Sequence, residues 1–242
     1  IDQNEIGKIN LGSISMGVAG HEIWHPNPDF YYKYGGGPIL DMGPYYFTAL
    51  VNLLGPAKNV FTQSRTVYQK RVIGSGDRQG QEIEVEIPTT LVSQIEFESG
   101  ALIDSFFSFD VWKHSKNHIE LYGDKGSINI PDPNMFGGDI LVCKTKNGDW
   151  KNIDTKNNNL GKINFKYESA GFANYRGIGV SETVDAIKNN RLNRCSGELS
   201  LHVLDILDSI IKSSKENKKI ELRSSIKNLN YFSEDEISNL LK

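Results

Sequence analysis

The sequence predicts an α+β domain: an open, largely antiparallel (mixed) β-sheet, with helices packed on one face and the other face available for oligomerisation. Three observations lead there. A short strand pattern gives way to helical spacing between Gly37 and Pro56. From Asn59 to Thr145 the apolar period is two, broken by turn residues, over six or seven consecutive strand-like segments. The last third returns to helical spacing, so strands and helices are segregated rather than regularly alternating as in a doubly wound fold. A sheet of consecutive antiparallel strands covers one face with helices and leaves the other free for a partner.

The elements follow in order. Ile9, Leu11, Ile14, Met16 and Val18 alternate with small or polar residues, a strand within Ile6–Val18. A polar, aromatic loop runs from Gly20 to Gly37. Asp41 reads as a helix N-cap, with Met42 opening the helix and Pro44 in its first turn, where a missing N–H costs little. Tyr46, Ala49, Leu50, Leu53 and Leu54 keep helical spacing, and Leu54-Gly55-Pro56 stops it. "NVFTQSRTVY", "EIEVEIPTTLVSQIEFE", "ALIDSFFSFDV", "NHIELYGD", "GSINI" and "DILVCKT" are strand candidates, with hairpin turns at Glu98–Gly100 and Gly123–Gly126. Thr155–Lys162 reads as a loop. "GVSETVDAIKNN" is a helix capped by Ser181, with Val184 and Ile187 on one face. Leu199, Val203, Ile206, Leu207 and Ile210 mark the next helix. "KKIEL" is a short strand and "SEDEISNLLK" a short capped helix.

Of the 242 residues, 38% are apolar and 24% charged, enough for one ordinary core across residues 1–242. A net charge of −3 gives no general attraction to nucleic acid or anionic membrane. Cys143 and Cys195 form no C-x-x-C pair, which points to a reducing, cytoplasmic setting. No apolar run reaches membrane-spanning length. The start lacks an initiator Met and the order of a signal peptide, so the chain reads as a domain whose N-terminal part is missing.

The candidate sites lie between Gly20 and Tyr46. His21-Glu22-Ile23-Trp24-His25 fits the zinc-protease pattern H-E-x-x-H, but that chemistry needs both histidines one turn apart on a helix. Gly20 before it, and Pro26 and Pro28 after it, oppose a helix, and no third ligand follows, so no metal is expected. The following stretch holds Trp24, His25, Phe30, Tyr31, Tyr32 and Tyr34. It is either a surface loop or a wall of aromatic faces with polar tips, suited to sugars or other ring substrates. Gly35-Gly36-Gly37 precedes no G-K-[ST], and no G-x-G-x-x-G joins a strand to a helix, so no cofactor-binding residues are assigned. Asp41 and Tyr45, four apart, share a helix face, where a carboxylate and a phenol can orient a hydroxyl and move its proton; a pure capping role for Asp41 is the alternative. Trp24, His25, Tyr31, Tyr32, Tyr46 and Arg176 are assigned to substrate contact, Arg176 either pairing an acid or facing a ligand. His114 and His118 read as solvated, His202 as a partly buried structural histidine.

"IGKI" at Ile6–Ile9, "YGGGPILDMGPYY" at Tyr34–Tyr46, "LLGP" at Leu53–Pro56, "LYGDKGSINI" at Leu121–Ile130 and "RCSGELSLHVLDIL" at Arg194–Leu207 fall in an order that resembles the C-terminal domain of the glucose–fructose oxidoreductase / inositol dehydrogenase / MocA-like family. The resemblance spans nearly the whole chain. It implies an N-terminal Rossmann domain, outside this chain, that binds NAD or NADP, and a catalytic lysine in a Glu-Lys-Pro motif that this chain lacks. It also implies that the present domain forms the substrate pocket and the interface of a homodimer or homotetramer. The family pattern G-G-G-x-L-x-D-x-G-x-H aligns its aspartate with Asp41 and its glycine with Gly43, while Tyr45 stands where many members have histidine. A free phenol titrates near 10 against about 6.5 for imidazole, so the exchange weakens a general base at neutral pH. The implied activity is hydride transfer between a nicotinamide and a carbinol of a sugar, polyol or related cyclic alcohol, with Asp41 and Tyr45 catalytic and the fragment alone inactive. The alternatives are a non-catalytic assembly or carbohydrate-binding module, and a relative that uses NAD to cleave glycosides.

Overall fold

The computed structural model describes residues 4–155, 158–167, 170–227 and 229–241. In chain order it holds β1 (Ile9–Gly17), α1 (Pro38–Leu54), β2 (Ala57–Arg65), β3 (Lys70–Val72), β4 (Glu82–Glu84), β5 (Thr90–Phe97), β6 (Leu102–Ser108), β7 (Ile119–Gly123), β8 (Ser127–Ile130), β9 (Ile140–Cys143), β10 (Lys151–Ile153), β11 (Phe165–Tyr167), β12 (Ala170–Phe172), α2 (Ile178–Lys188), α3 (Gly197–Glu216), β13 (Ile220–Glu221) and α4 (Glu234–Leu240). One sheet of nine strands runs in the order β10-β9-β8-β7-β1-β6-β5-β2-β13. Only β1 and β6 pair in parallel, Leu11 opposite Leu102 and Met16 opposite Phe107; the other neighbours are antiparallel. The sheet is open and mixed, with helices on one side. β3–β4 and β11–β12 are separate hairpins.

The pleat explains the two faces. Ile14, Ile95, Ile103, Phe107, Ile119 and Leu121 point to the helix side and are buried. Against them lie Tyr46, Phe47, Leu50 and Val51 of α1 and Leu199, Val203, Ile206, Leu207 and Ile210 of α3. Each such fully buried apolar side chain contributes about 1.5–3 kcal/mol relative to exposure. Leu11, Val92, Leu102 and Tyr122, from four adjacent strands, point the other way and are exposed.

Several boundaries differ from the sequence reading. The α1 helix opens at Pro38 with Gly37 as N-cap (φ 94°), so Asp41 sits inside the first turn and Pro44 in the interior. A proline is tolerated at the first helical position, so two prolines set the choice, and the first of them wins. The long segment after Glu82 is two strands split at Pro88, and the strand expected through Tyr68 ends at Arg65. Ser181 caps nothing: α2 begins at Ile178, buries Glu182 and Ala186, and turns Val184 and Ile187 outward. Arg191 and Arg194 clamp Glu182, and this charge network outweighs the apolar face that the spacing suggested. His118 is half-buried rather than simply solvated; its Nδ1 lies 2.9 Å from Tyr46 Oη. His202 is fully buried, with Nε2 accepting from Ala57 N at 2.9 Å. Residues 156 and 157 of the expected Thr155–Lys162 loop lie outside the described residues. No helix among the described residues is long and apolar enough to cross a membrane.

Candidate active site at the start of α1

The loop after β1 is built on two short 3₁₀ turns, His21–Ile23 and Asp29–Tyr32. Pro26 and Pro28 separate them, as a residue before proline leaves the helical region. Hydrogen bonds fasten both turns. His21 N donates to Tyr32 Oη at 3.1 Å, His25 N to His21 O at 2.9 Å, and Gly74 N to Glu22 O at 2.7 Å. Tyr31 O accepts from Gly37 N at 2.8 Å, and Asp41 N donates to Gly37 O at 3.0 Å, so the second turn is tied to the first turn of α1. Gly36 has no room for a side chain, because a Cβ there would collide with the Phe30 carbonyl oxygen.

Beneath the loop is a buried charge network. Arg71 Nη1 donates to Glu22 Oε1 at 2.8 Å and Nη2 donates to Asp110, their side chains only 4%, 9% and 6% exposed. Tyr32 donates to the other oxygen of Glu22, and Asp110 also accepts from Thr89 Oγ1 at 2.7 Å and Thr90 Oγ1 at 2.6 Å. Burial above all, then the bond to Glu22, pushes the Tyr32 phenol up, so it remains a donor. The zinc-protease pattern is dissolved by these contacts: Glu22 faces inward to Arg71, and His25 Nδ1 accepts from Asn27 N at 3.1 Å.

His21 Nε2 lies 3.1 Å from Asp41 Oδ2. The His21 ring is held by Trp24, Tyr31 and Phe109, with centroids at 5.5, 4.3 and 4.6 Å. Asp41 lies near the positive end of α1, which favours a carboxylate. Burial first, then the charge of Asp41, pushes the Tyr31 phenol up, which keeps it protonated at neutral pH and able to donate. Asp41 opens onto a cleft of about 570 Å³ shared with Phe30, Tyr31, Lys33, Gly36 and Leu40. That is a size suited to a small-molecule ligand. A second, more apolar cavity of about 460 Å³ adjoins it across Tyr34, Gly35, Gly36 and Leu40 and reaches Ile87, Leu204 and Ile211.

The structure brings together only part of the expected set. Asp41 and Tyr31 line the cleft; Trp24 and His25, ring to ring at 5.3 Å, are outside its lining. Tyr45 lies one turn further along α1, 39% exposed, outside the cleft lining. Tyr32 and Tyr46 are fully buried and touch no ligand space: Tyr32 supports Glu22, and Tyr46 pairs with His118. Arg176 donates to Asn134 O at 2.7 Å and Oδ1 at 3.0 Å, in the turn after β8, away from the cleft. Sequence reasoning missed His21 as the partner of Asp41. The two are 20 residues apart in a loop without periodicity, so no spacing rule joins them.

The fold and cleft define an α+β domain, an open sheet whose first helix presents a carboxylate beside aromatic rings. The chain belongs to the GFO/IDH/MocA C-terminal domain family, whose model matches residues 1–129. Among solved structures, an NAD binding oxidoreductase from Klebsiella pneumoniae is similar at 17% identity and TM-score 0.70, over 94% of this chain and 61% of that one. Levoglucosan dehydrogenase in its apo form is similar at 18% identity and TM-score 0.68, over 92% and 61%. An aldose-aldose oxidoreductase from Caulobacter crescentus, complexed with glycerol, is similar at 18% identity and TM-score 0.62, over 91% and 58%. At these identities the likeness is one of fold. The chain spans about three fifths of the length of these proteins. A comparison with curated protein sequences gives no match.

Proposed function

We propose that this chain is the substrate-binding and oligomerisation domain of a longer NAD(P)-dependent oxidoreductase, acting on a sugar, polyol or related cyclic alcohol. The observation that carries it is the Asp41 carboxylate opening between the protonated Tyr31 phenol and the Phe30 ring onto a ligand-sized cleft, whose other carboxylate, Asp29, is engaged by Arg78. A carbinol-bearing ring substrate fits such a site, its face on the aromatics and its hydroxyl on the carboxylate. Family membership and the fold of dehydrogenase neighbours support the reaction class.

The dinucleotide itself is not cradled by these residues. The amides of Gly36 and Gly37 donate to Lys33 O and Tyr31 O, so these two N–H groups are not free to hold a diphosphate. The carbinol side does fit, because Asp41 leaves one oxygen without a protein partner among the described residues. When bound, a nicotinamide supplies the hydride acceptor. Asp41 orients the hydroxyl and Tyr31 donates a hydrogen bond to a neighbouring oxygen. Tyr45, exposed one turn away, assists the proton on a substrate reaching past the cleft rim. The exposed Leu11, Val92, Leu102 and Tyr122 support a dimer or tetramer through the open sheet face, in a cytoplasmic setting.

The test is a screen of the full-length protein across sugars, inositols and dihydrodiols, followed by nicotinamide absorbance. Asp41→Asn is expected to lower kcat/KM at least a hundredfold, and Tyr45→Phe less. Unchanged kcat/KM in both variants would defeat the reading. A clean monomer by light scattering would defeat the oligomerisation.

A further inference from the structure

We infer that the apolar cavity between α3 and the glycine turn is a second subsite, which takes an apolar substituent carried by the ring bound at Asp41. The substrate class is then an alkyl or aryl glycoside, or a cyclic alcohol similarly substituted, rather than a free sugar or polyol. This rests on the functional reading above and narrows it.

The cavity is built from three parts of the chain. Its floor is Ile39 of α1 and Leu91 of β5, 2% and 3% exposed. One wall is α3, where Leu204, Asp208, Ile211 and Lys215 recur at helical spacing and share a face. That face is distinct from the stripe of Val203, Ile206 and Ile210 that packs on the sheet. The opposite wall is Ile87 and Pro88, in the connection between β4 and β5. Glu86 N donates to Tyr32 O at 2.9 Å and Thr66 Oγ1 to Ile87 O at 3.1 Å, while α3 is seated on the core. Neither wall can move into the gap without breaking these contacts. The volume of about 460 Å³ is that of a small-molecule site.

The lining selects hydrocarbon. Asp208 lies 3.5 Å from Arg223, Glu216 lies 2.7 Å from Lys218, and the Lys215 ammonium sits 5.8 Å over the Tyr34 ring. Glu86 and Lys212 remain, one of each sign, so no net charge calls for an ionic ligand. Leu204, 55% exposed beside Ile87 and Ile211, is apolar surface left in water.

The cavity is continuous with the Asp41 cleft. Tyr34, Gly35, Gly36 and Leu40 line both spaces. Nothing lies within 4 Å of where a Cβ would stand on Gly35, so the divide there is bare backbone. Asp41 follows Leu40 and lines only the cleft. A ring with its hydroxyl on Asp41 can therefore lay a substituent across the glycines. A free sugar leaves the apolar walls wet, whereas hydrocarbon placed there gains about fourfold in affinity for each buried CH₂.

Two measurements on the full-length protein test the inference. The first needs no turnover. By calorimetry and saturation-transfer NMR, 2-naphthol should bind at one site per chain, and Leu204→Trp, which fills the cavity from a half-exposed position, should weaken it at least about tenfold. An unfolding midpoint equal to wild type shows that the variant is folded. Failure of 2-naphthol to bind, or equal binding to the folded variant, overturns the subsite; the cavity is then covered by the rest of the protein or takes no hydrocarbon. The second compares phenyl and methyl glycosides of the ring that the screen shows to be oxidised. The phenyl compound should have at least about 30-fold higher kcat/KM, mostly through KM, and that ratio should fall towards one in Leu204→Trp. A ratio near one in wild type overturns the substrate class. A protein that oxidises no ring alcohol defeats the functional reading and the substituent role with it, while 2-naphthol still decides whether the cavity binds hydrocarbon.

Discussion

Replacing Arg71 by methionine isolates the device that holds the candidate site. The guanidinium lies 4% exposed between two carboxylates, donating to Glu22 Oε1 at 2.8 Å and to Asp110, and it stacks 5.0 Å from the Tyr32 ring centroid. Methionine keeps most of the apolar stem but removes every donor. Glu22, 9% exposed, and Asp110, 6% exposed, are then left as buried acids with no cation between them. Removing one partner of a buried pair costs about 3–5 kcal/mol, because the remaining charge stays desolvated and unmatched. In a chain of this size each kcal/mol moves the midpoint by roughly 2–4 °C, giving about 6–20 °C. The assay is thermal and urea unfolding of wild type and Arg71→Met at pH 7, with Lys70→Met as control. Lys70 is the preceding residue but half-exposed, pairing with Glu82 and Glu84 at the surface, so its loss should leave the midpoint unchanged within error. The ring resonances of His21 should broaden or shift in Arg71→Met, since the loop loses its anchor. A loss below about 1 kcal/mol would refute the argument that this network is what fixes the His21 loop.

Three further outcomes are expected. Gly20→Ala forces a side chain onto φ +104° and into the Glu22 carboxylate, so it should cost at least about 1–3 kcal/mol in urea unfolding; a neutral substitution would show that the turn is not constrained. Ser196→Ala removes the hydroxyl that accepts from Leu199 N at 3.1 Å at the start of α3 and should cost about 1 kcal/mol by denaturant midpoint. Burial, opposed by the nearby Asp205 charge, pushes the His202 imidazole below its ordinary value, so the unfolded chain binds the proton more readily. Stability from this group is therefore present above about pH 6.5 and lost as the pH falls below it. Urea midpoints at pH 7.5 and 5.5 should differ more for wild type than for His202→Gln, and parallel losses would count against that assignment.

The sequence by itself determined the sheet and the helix pair on it. Period-two alternation in β5 and β6, and the buried stripe of Leu199, Val203, Ile206 and Ile210 in α3, are local statements about which side of a backbone meets water. The glycine turn before α1 and the presence of a helix start near Asp41 were legible for the same reason, since turn and helix-start chemistry act within a few residues, although the start lies at Pro38 rather than Met42. Only the tertiary structure decided which side chains meet across distance. His21 finds Asp41 because β1 and α1 are packed side by side and the loop between them is folded back by Gly37, Tyr31 and Tyr32. Arg71 finds Glu22 and Asp110 from three separate segments, and Tyr46 is drawn inward to His118 rather than left facing a ligand. Such pairings depend on packing between elements, which leaves no period in the chain, so the residues that hold the site were visible only once the elements were in place.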